Sequence, residues 1–173
     1  TCALPISRLG YALTATGNDV TLEDIARIAD VFYIGGTKVG AMFGEAVVFT
    51  HGNMPKNFVT LVKQHGALLA KGWLLGVQFD TLFTDDLYCR IARHANDAAD
   101  RIREVLVERG YTLTFDAPTN QIFITLDNAT SERLQRNVRL GFMEKADDTH
   151  TVMRICTSWA TTDEQVEQLI ALL

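Results

Sequence analysis

The chain has few cysteines, no long apolar run, no excess of positive charge and no clustered histidines, and each shortage closes a class of explanation. Three cysteines in 173 residues, Cys2, Cys89 and Cys156, are odd in number and far apart. They form neither a disulfide framework nor a zinc pattern, so a reducing cytoplasm is the expected location. No stretch approaches the roughly 18–20 apolar residues of a membrane span, and the opening TCALPIS lacks the basic start and apolar region of a secretory signal. A net charge of −5 gives no electrostatic reason to expect nucleic acid as a partner. His51, His65, His94 and His150 are scattered without metal-ligand spacing, so no metal site is expected.

The composition that remains, 47% hydrophobic and 21% charged, is that of an ordinary globular protein able to bury a core. Thr21 followed by Asp24 makes a capping box for a short helix with Leu22, Ile25, Ala26 and Ala29 as its apolar face. Val31–Ile34 and Glu45–Thr50 are rich in β-formers, and the first suits a strand buried on both faces. Pro55 starts a helix in which Phe58, Leu61, Val62, His65 and Leu69 recur at helical spacing, and Gly72 ends or kinks it. Asp85 is a cap for a long amphipathic helix reaching about Arg109, with Leu87, Ile91, His94, Ala98, Ile102 and Leu106 on one stripe and Gly110 as its stop. Its charged face, Arg93 to Glu104, reads as a solvated, ion-paired surface. The last third alternates strand-like Tyr111–Phe115, Gln121–Leu126 and Thr151–Cys156 with helices at Ser131–Leu140 and Thr162–Leu173. That describes an α+β module of two or three strands with helices on one face.

The most informative segment is Ile34-Gly35-Gly36-Thr37-Lys38-Val39-Gly40-Ala41-Met42-Phe43. A β-forming run ends in two glycines, a threonine and a lysine, and small residues follow. Lys38 thus sits on the connection between two strands, where a flat ligand can approach its amine. Lysine amines form Schiff bases with carbonyl compounds. A solvated lysine in a glycine turn is the alternative. Gly35, Gly36 and Gly40 are expected to allow close backbone approach or unusual dihedrals. Arg154 lies on a strand among apolar neighbours, on the same face as Val152 and Cys156. A permanently charged guanidinium there calls for an anion, either a ligand carboxylate held by two hydrogen bonds or an acidic side chain.

IGGTKVGAMFGEAVVF closely resembles the cofactor-lysine segment of the low-specificity L-threonine aldolases, members of the beta-eliminating lyase group of fold-type I pyridoxal phosphate enzymes. The resemblance starts at Arg8-Leu9-Gly10. It runs in order through NDVTLEDIARIADVFYIGGTK, KQHGALLAKGWLLGVQFDTLF and APTNQIFITL to HTVMRICTSWATT. It implies an α/β chain: the carboxy-terminal half of an aspartate aminotransferase-like enzyme, with a remnant of the large-domain sheet and a small α+β domain. Residues 8–84 would be that remnant, residues 85–173 the small domain, and residues 1–7 a foreign or misjoined end.

The resemblance also implies roles. Lys38 would be the catalytic residue that bonds pyridoxal 5'-phosphate, with Arg8 and Thr37 also at the cofactor and Arg154 and Arg8 binding the substrate. Lys63 matches a position where some relatives carry a cation, and a solvated lysine explains it as well. The complete enzyme would cleave L-threonine or L-allo-threonine to glycine and acetaldehyde as a homodimer or homotetramer, without nucleic acid or membrane partners. One departure stands out. The family pattern before the arginine is Asp-Gly-Ala, its aspartate serving the pyridine nitrogen, and here the sequence reads Pro5-Ile6-Ser7. The rival readings are another lyase or a transaminase on the same fold, or a non-catalytic fragment that only associates with other chains.

Overall fold

In the computed structural model, which describes residues 2–173, the chain divides into two compact units. The first takes the segment ending at Leu13 together with Asn18–Arg90, and the second takes Thr14–Gly17 and Ile91–Leu173.

The first unit is built on a three-stranded sheet in the order β1-β2-β3. Strand β1 (Ala3–Ile6) leads to α1 (Leu9–Leu13) and α2 (Leu22–Ile28), then β2 (Val31–Gly35) and β3 (Glu45–Phe49). β1 runs parallel to β2, with Leu4 opposite Phe32 and Ile6 opposite Ile34, so α1 and α2 form the crossover that parallel pairing requires. β2 and β3 are antiparallel, with Gly35 opposite Glu45. Pro5 lies in β1, at the margin of the sheet, where a residue without an N–H is tolerated. The expected capping box is present: Thr21 Oγ1 accepts from Asp24 N–H, and the Asp24 carboxylate accepts from Thr21 N–H.

Four expectations for this unit need correction. Val31–Ile34 is covered on one face only. Phe32 and Ile34 are 3% and 6% exposed, whereas Tyr33 and, across the strand pair, Val47 are 36% and 45% exposed. A continuous apolar run does not reveal which of its faces is covered. The helix after Pro55, α3 (Phe58–Gln64), is short, carries no buried residue and ends before Gly66, whose φ of +67° suits a stop. Gly72 is the N-cap of the next helix, α4 (Trp73–Phe83), so it starts a helix rather than kinking one. Asp85 sits at φ 51° in a 3-10 turn before α5 (Leu87–Glu108), and no cap of its own is formed with its side chain among the described contacts.

The second unit holds most of α5, then β4 (Thr112–Leu113), β5 (Gln121–Asp127), α6 (Asn128–Gln135), β6 (Gly141–Lys145), β7 (His150–Cys156) and α7 (Asp163–Leu172). Its sheet has four strands in the order β4-β5-β7-β6, all antiparallel, not two or three. β6 carries no strand signal in the sequence because its side chains are mostly exposed and GFMEK lacks alternation. β4 keeps two residues of the expected Tyr111–Phe115, and α6 begins earlier than Ser131 because Asp127 caps it through Thr130 N–H. Alternate residues of the two central strands, Ile122, Ile124, Leu126, Met153 and Ile155, form the core with Ala98, Ala99, Ile102 and Leu106 of α5 and Val166 of α7. α7 is capped by Thr162 with Gln165.

Ala98, Ile102 and Leu106 of the stripe expected on α5 are buried, but at its amino-terminal end Ala92 and Ala95, with Ala99 beyond, take the buried face, all fully buried. His94 is therefore exposed, and its Nε2 lies 2.7 Å from the Thr161 carbonyl oxygen. The charged face behaves as a paired surface: Arg101 bridges Asp163 and Glu167, and Arg103 pairs with Asp100.

The β6–β7 turn is organised by one carboxylate. Asp147 accepts from Thr149 Oγ1 at 2.8 Å, Thr149 N–H at 2.6 Å and His150 N–H at 2.7 Å. Hydrogen bonding to the Thr149 side chain and backbone, then to His150, holds its carboxyl well below the usual carboxylate range. A depressed folded-state pKa contributes stability above the unfolded value, near pH 3.9, that is lost as pH falls toward the folded value. Asp147→Asn is therefore expected to be less stable than the parent at pH 7, with the gap narrowing at pH 3. Urea midpoints at the two pH values measure this, and an unchanged gap would contradict it.

Candidate functional site

Lys38 is presented by a loop whose shape follows from its glycines and one apolar anchor. β2 and β3 fix the two ends. Between them Val39 and Ala41 donate to the Gly36 carbonyl at 2.9 and 3.0 Å. Gly40 and Gly44 adopt φ of +93° and +92°, the left-handed region in which a Cβ is penalised. Val39 is fully buried and Ala41 is 8% exposed, so the loop is pinned inward by these two residues, while Thr37 and Lys38 point outward. A Cβ on Gly35 would lie 2.4 Å from the Ser7 carbonyl oxygen, and one on Gly36 would lie 2.8 Å from Ala41 Cβ. The close approaches expected at these glycines are thus present.

The Lys38 Nζ donates to Ser7 Oγ at 3.4 Å. Its carbonyl accepts from the Tyr11 hydroxyl. Tyr88, from the first turn of α5, donates to the Gly35 carbonyl at 3.0 Å and accepts from Gly10 N–H at 3.1 Å. Burial pushes the Tyr88 phenol up to about 12, against the lowering effect of the Gly10 bond. On the far side of the loop, Gln78 of α4 accepts from Met42 N–H at 2.7 Å. Arg8 follows Ser7 in the turn just before α1 and is half-buried. Its Nε is buried without a hydrogen-bond partner. The fold thus brings Lys38 beside Ser7, the immediate neighbour of Arg8. Lys63 lies exposed on α3.

Ser7, Tyr11, Gln78 and Tyr88 carry no signal in the sequence. Each reaches the loop across a long stretch of chain, and no local periodicity encodes such a contact. LGYAL reads only as a short apolar segment, and Tyr88 falls one position from the stripe read along α5.

In the second unit Arg154 lies on β7 opposite Phe123 of β5 and Gly141 of β6. It is on the sheet face away from Met153 and Ile155, which enter the core. Its Nη1 donates to Gln121 Oε1 at 3.2 Å, and its Nε is buried without a partner. No carboxylate pairs with it among the described residues. Gly141 leaves the flank beside the guanidinium free of a side chain, since a Cβ there would stand 3.5 Å from Nε. Asn120, at the start of β5, is 3% exposed and donates to the Thr157 carbonyl at 2.6 Å, which ties the two strand ends together.

These groups define two chemical capacities. An exposed primary amine on a held loop can add to a carbonyl carbon once it has lost its proton. A guanidinium with one nitrogen held by a neutral amide keeps its Nε and Nη2 side for a planar anion.

Comparison with known proteins gives a consistent result. No protein-family model matches the chain. It is 30% identical over 141 residues to a low specificity L-threonine aldolase of Pseudomonas aeruginosa, a match covering 81% of this chain and 40% of that protein. It is 30% identical over 143 residues to the enzyme of the same name from a Pseudomonas species, with 82% and 40% covered. Among solved structures, a threonine aldolase of Leishmania major matches with a TM-score of 0.94 and 39% identity, over 98% of this chain and 50% of that one. A serine palmitoyltransferase of Sphingomonas wittichii shares the fold, with a TM-score of 0.65 at 17% identity. The chain spans about 40% of the length of the curated relatives it matches. No helix among the described residues is long and apolar enough to cross a membrane.

Proposed function

We propose that this chain, a homologue of the low specificity L-threonine aldolases over 81% of its length, supplies the lysine-bearing part of an enzyme that cleaves L-threonine and L-allo-threonine to glycine and acetaldehyde. The observation that carries the reading is the held loop that presents the Lys38 amine, within a fold matching a threonine aldolase at a TM-score of 0.94. The cofactor is pyridoxal 5'-phosphate, which when bound supplies the electron sink for breaking a bond at the amino-acid α-carbon.

The residues present fit that group in part. Lys38 offers an exposed amine, and the buried unpaired Nε of Arg8 offers a donor beside Ser7. The position that the resemblance assigns to the acid at the ring nitrogen is Pro5, which is exposed on β1 and has no polar side-chain atom. The fit therefore fails at the ring nitrogen.

What the chain's own residues do is narrower. Lys38 is the amine nucleophile. Ser7 Oγ accepts a hydrogen bond from that amine, and Thr37 flanks it at the turn. Arg8 is assigned to the cofactor and the substrate. Arg154 is assigned to the substrate α-carboxylate, which would satisfy the Nε donor at the side-on fork. A buried donor left unpaired costs roughly 1–3 kcal/mol, so such an anion is favoured there. On this reading the complete enzyme is a homodimer or homotetramer located in the cytoplasm. Pro5 favours a second reading for the 173-residue chain by itself: a molecule that binds the aldehyde yet does not turn over threonine.

Pyridoxal phosphate followed by borohydride tests the first reading. Peptide mapping is expected to find the reduced adduct on Lys38, and Lys38→Ala is expected to remove it along with the visible absorption band. Labelling spread evenly over all lysines would refute the assignment. Threonine cleavage by the purified chain would refute the second reading.

A further inference from the structure

Two buried phenols take no part in the chemistry assigned above. Tyr11 and Tyr88 are each 1% exposed, among the largest fully buried side chains of the molecule. A buried hydroxyl must find partners or incur a desolvation cost. Here the partners lie on the segment that carries the lysine. Tyr88 donates to the Gly35 carbonyl at 3.0 Å, and Tyr11 donates to the Lys38 carbonyl. The Tyr88 oxygen also accepts from Gly10 N–H at 3.1 Å, which joins the same point to α1.

The packing around these bonds leaves little slack. A Cβ on Gly10 would stand 2.9 Å from Tyr88 Cε1, 3.1 Å from Tyr88 Cζ and 3.1 Å from Val39 Cγ1. The Tyr88 ring and Val39 therefore both press against the Gly10 backbone. Val39, the residue after the lysine, is fully buried. The segment Gly35–Lys38 is thus held at both ends by tyrosine hydroxyls, one from α1 and one from α5, and clamped by packing immediately beyond.

We propose that Tyr11 and Tyr88 are positioning residues that latch the Lys38 backbone and so keep its amine aimed at an incoming carbonyl before any ligand binds. This rests on the reading of Lys38 as the amine nucleophile. The two tyrosine hydroxyls bond the main chain of this segment, at Gly35 and Lys38. Each acts through a backbone carbonyl, which leaves the side chain of Lys38 free to react while its root is fixed. A fixed root restricts the volume the amine samples, and proximity of that kind raises the rate of an otherwise bimolecular step.

The test uses the chain with pyridoxal phosphate and borohydride and compares Lys38 with Lys56, Lys63, Lys71 and Lys145 as references in the same molecule. The Nζ lone pair adds to the aldehyde carbon, water leaves as the carbon–nitrogen double bond forms, and borohydride delivers hydride to carbon while solvent protonates nitrogen. Tyr11→Phe and Tyr88→Phe keep the rings and remove only the hydroxyls. Each is expected to lower the ratio of Lys38 labelling to reference labelling by about 5-fold, the factor equivalent to one net hydrogen bond. Gly10→Ala, which crowds the Tyr88 ring without removing a hydroxyl, is expected to act in the same direction. Amide exchange at Ile34 and Val48 verifies that the strands remain folded.

A merely structural role would lower the melting temperature and leave the ratio alone, and that result overturns the latch. If the unsubstituted chain shows no preference for Lys38, the functional reading fails and this inference fails with it. A Lys38 preference that survives in all three variants removes the latch only.

Discussion

Gly35→Ala is expected to unfold the first unit or weaken it by at least about 3 kcal/mol, the upper part of the range for overpacking a close-packed site. The added carbon would stand 2.4 Å from the Ser7 carbonyl oxygen and 2.7 Å from both Ser7 C and Ser7 Cα. All three are backbone atoms of the segment leaving β1, so no side-chain rotation relieves the clash. Relief requires β1 to separate from β2, and the register that pairs Ile6 with Ile34 is lost with it. Gly76→Ala in α4 is the control. Nothing lies within 4 Å of its new carbon, and alanine in a helix interior is favoured over glycine by about 0.5–1 kcal/mol. The first variant should lose amide protection in β1 and β2, and the second should gain stability. Equal, small effects in both would show that Ser7 does not press on Gly35.

Ile124→Ala is expected to cost about 2–5 kcal/mol in the second unit, the range for truncating a large aliphatic side chain inside a core. Ile124 is fully buried in the centre of the sheet, on β5 between β4 and β7, paired across to Met153 and Leu113. Its neighbours include Leu106 on α5 and Val166 on α7 within one cluster. At roughly 4–8 °C per kcal/mol for a unit of this size, the transition should fall by about 10 °C or more. The two tryptophans separate the units: Trp73 lies on α4 of the first and Trp159 follows β7 in the second. With Trp73→Phe as background, Trp159 fluorescence reports the second unit. A transition unmoved by Ile124→Ala would mean that the sheet centre is not the stabilising core.

Local chemistry made some parts legible in the sequence and hid others. The capping box at Thr21, the stop at Gly110 and the strands around Lys38 depend on residues within a few positions of one another, whereas the box that Thr162 forms with Gln165 was not read. The need for glycine at 35, 36 and 40 was also readable, because three glycines around one lysine have few other uses. What stayed hidden was set by distant partners. Tyr11 and Tyr88 reach the lysine loop from α1 and α5, and Gln121 reaches Arg154 from a neighbouring strand. The one-sided burial of Val31–Ile34 depends on what packs above the sheet, which an unbroken apolar run does not say. β6 has too little apolar alternation to announce a strand. His94 falls on the stripe that the sequence suggests because Ala92, Ala95 and Ala99, which share the buried face with Ala98, Ile102 and Leu106, are weak markers of burial.

The register of the first sheet also sets an order of events in folding. β2 and β3 pair near their connecting loop, Gly35 with Glu45, a nearly local contact. β1 joins by pairing Ala3 with Val31, across two intervening helices. Closing the longer loop carries the larger entropic cost, so the β2–β3 pair should nucleate and β1 should dock afterwards. Ser7 arrives with β1. The lysine would therefore acquire its hydroxyl neighbour in the last stage of assembly, and the amine's surroundings would mature after the loop that carries it.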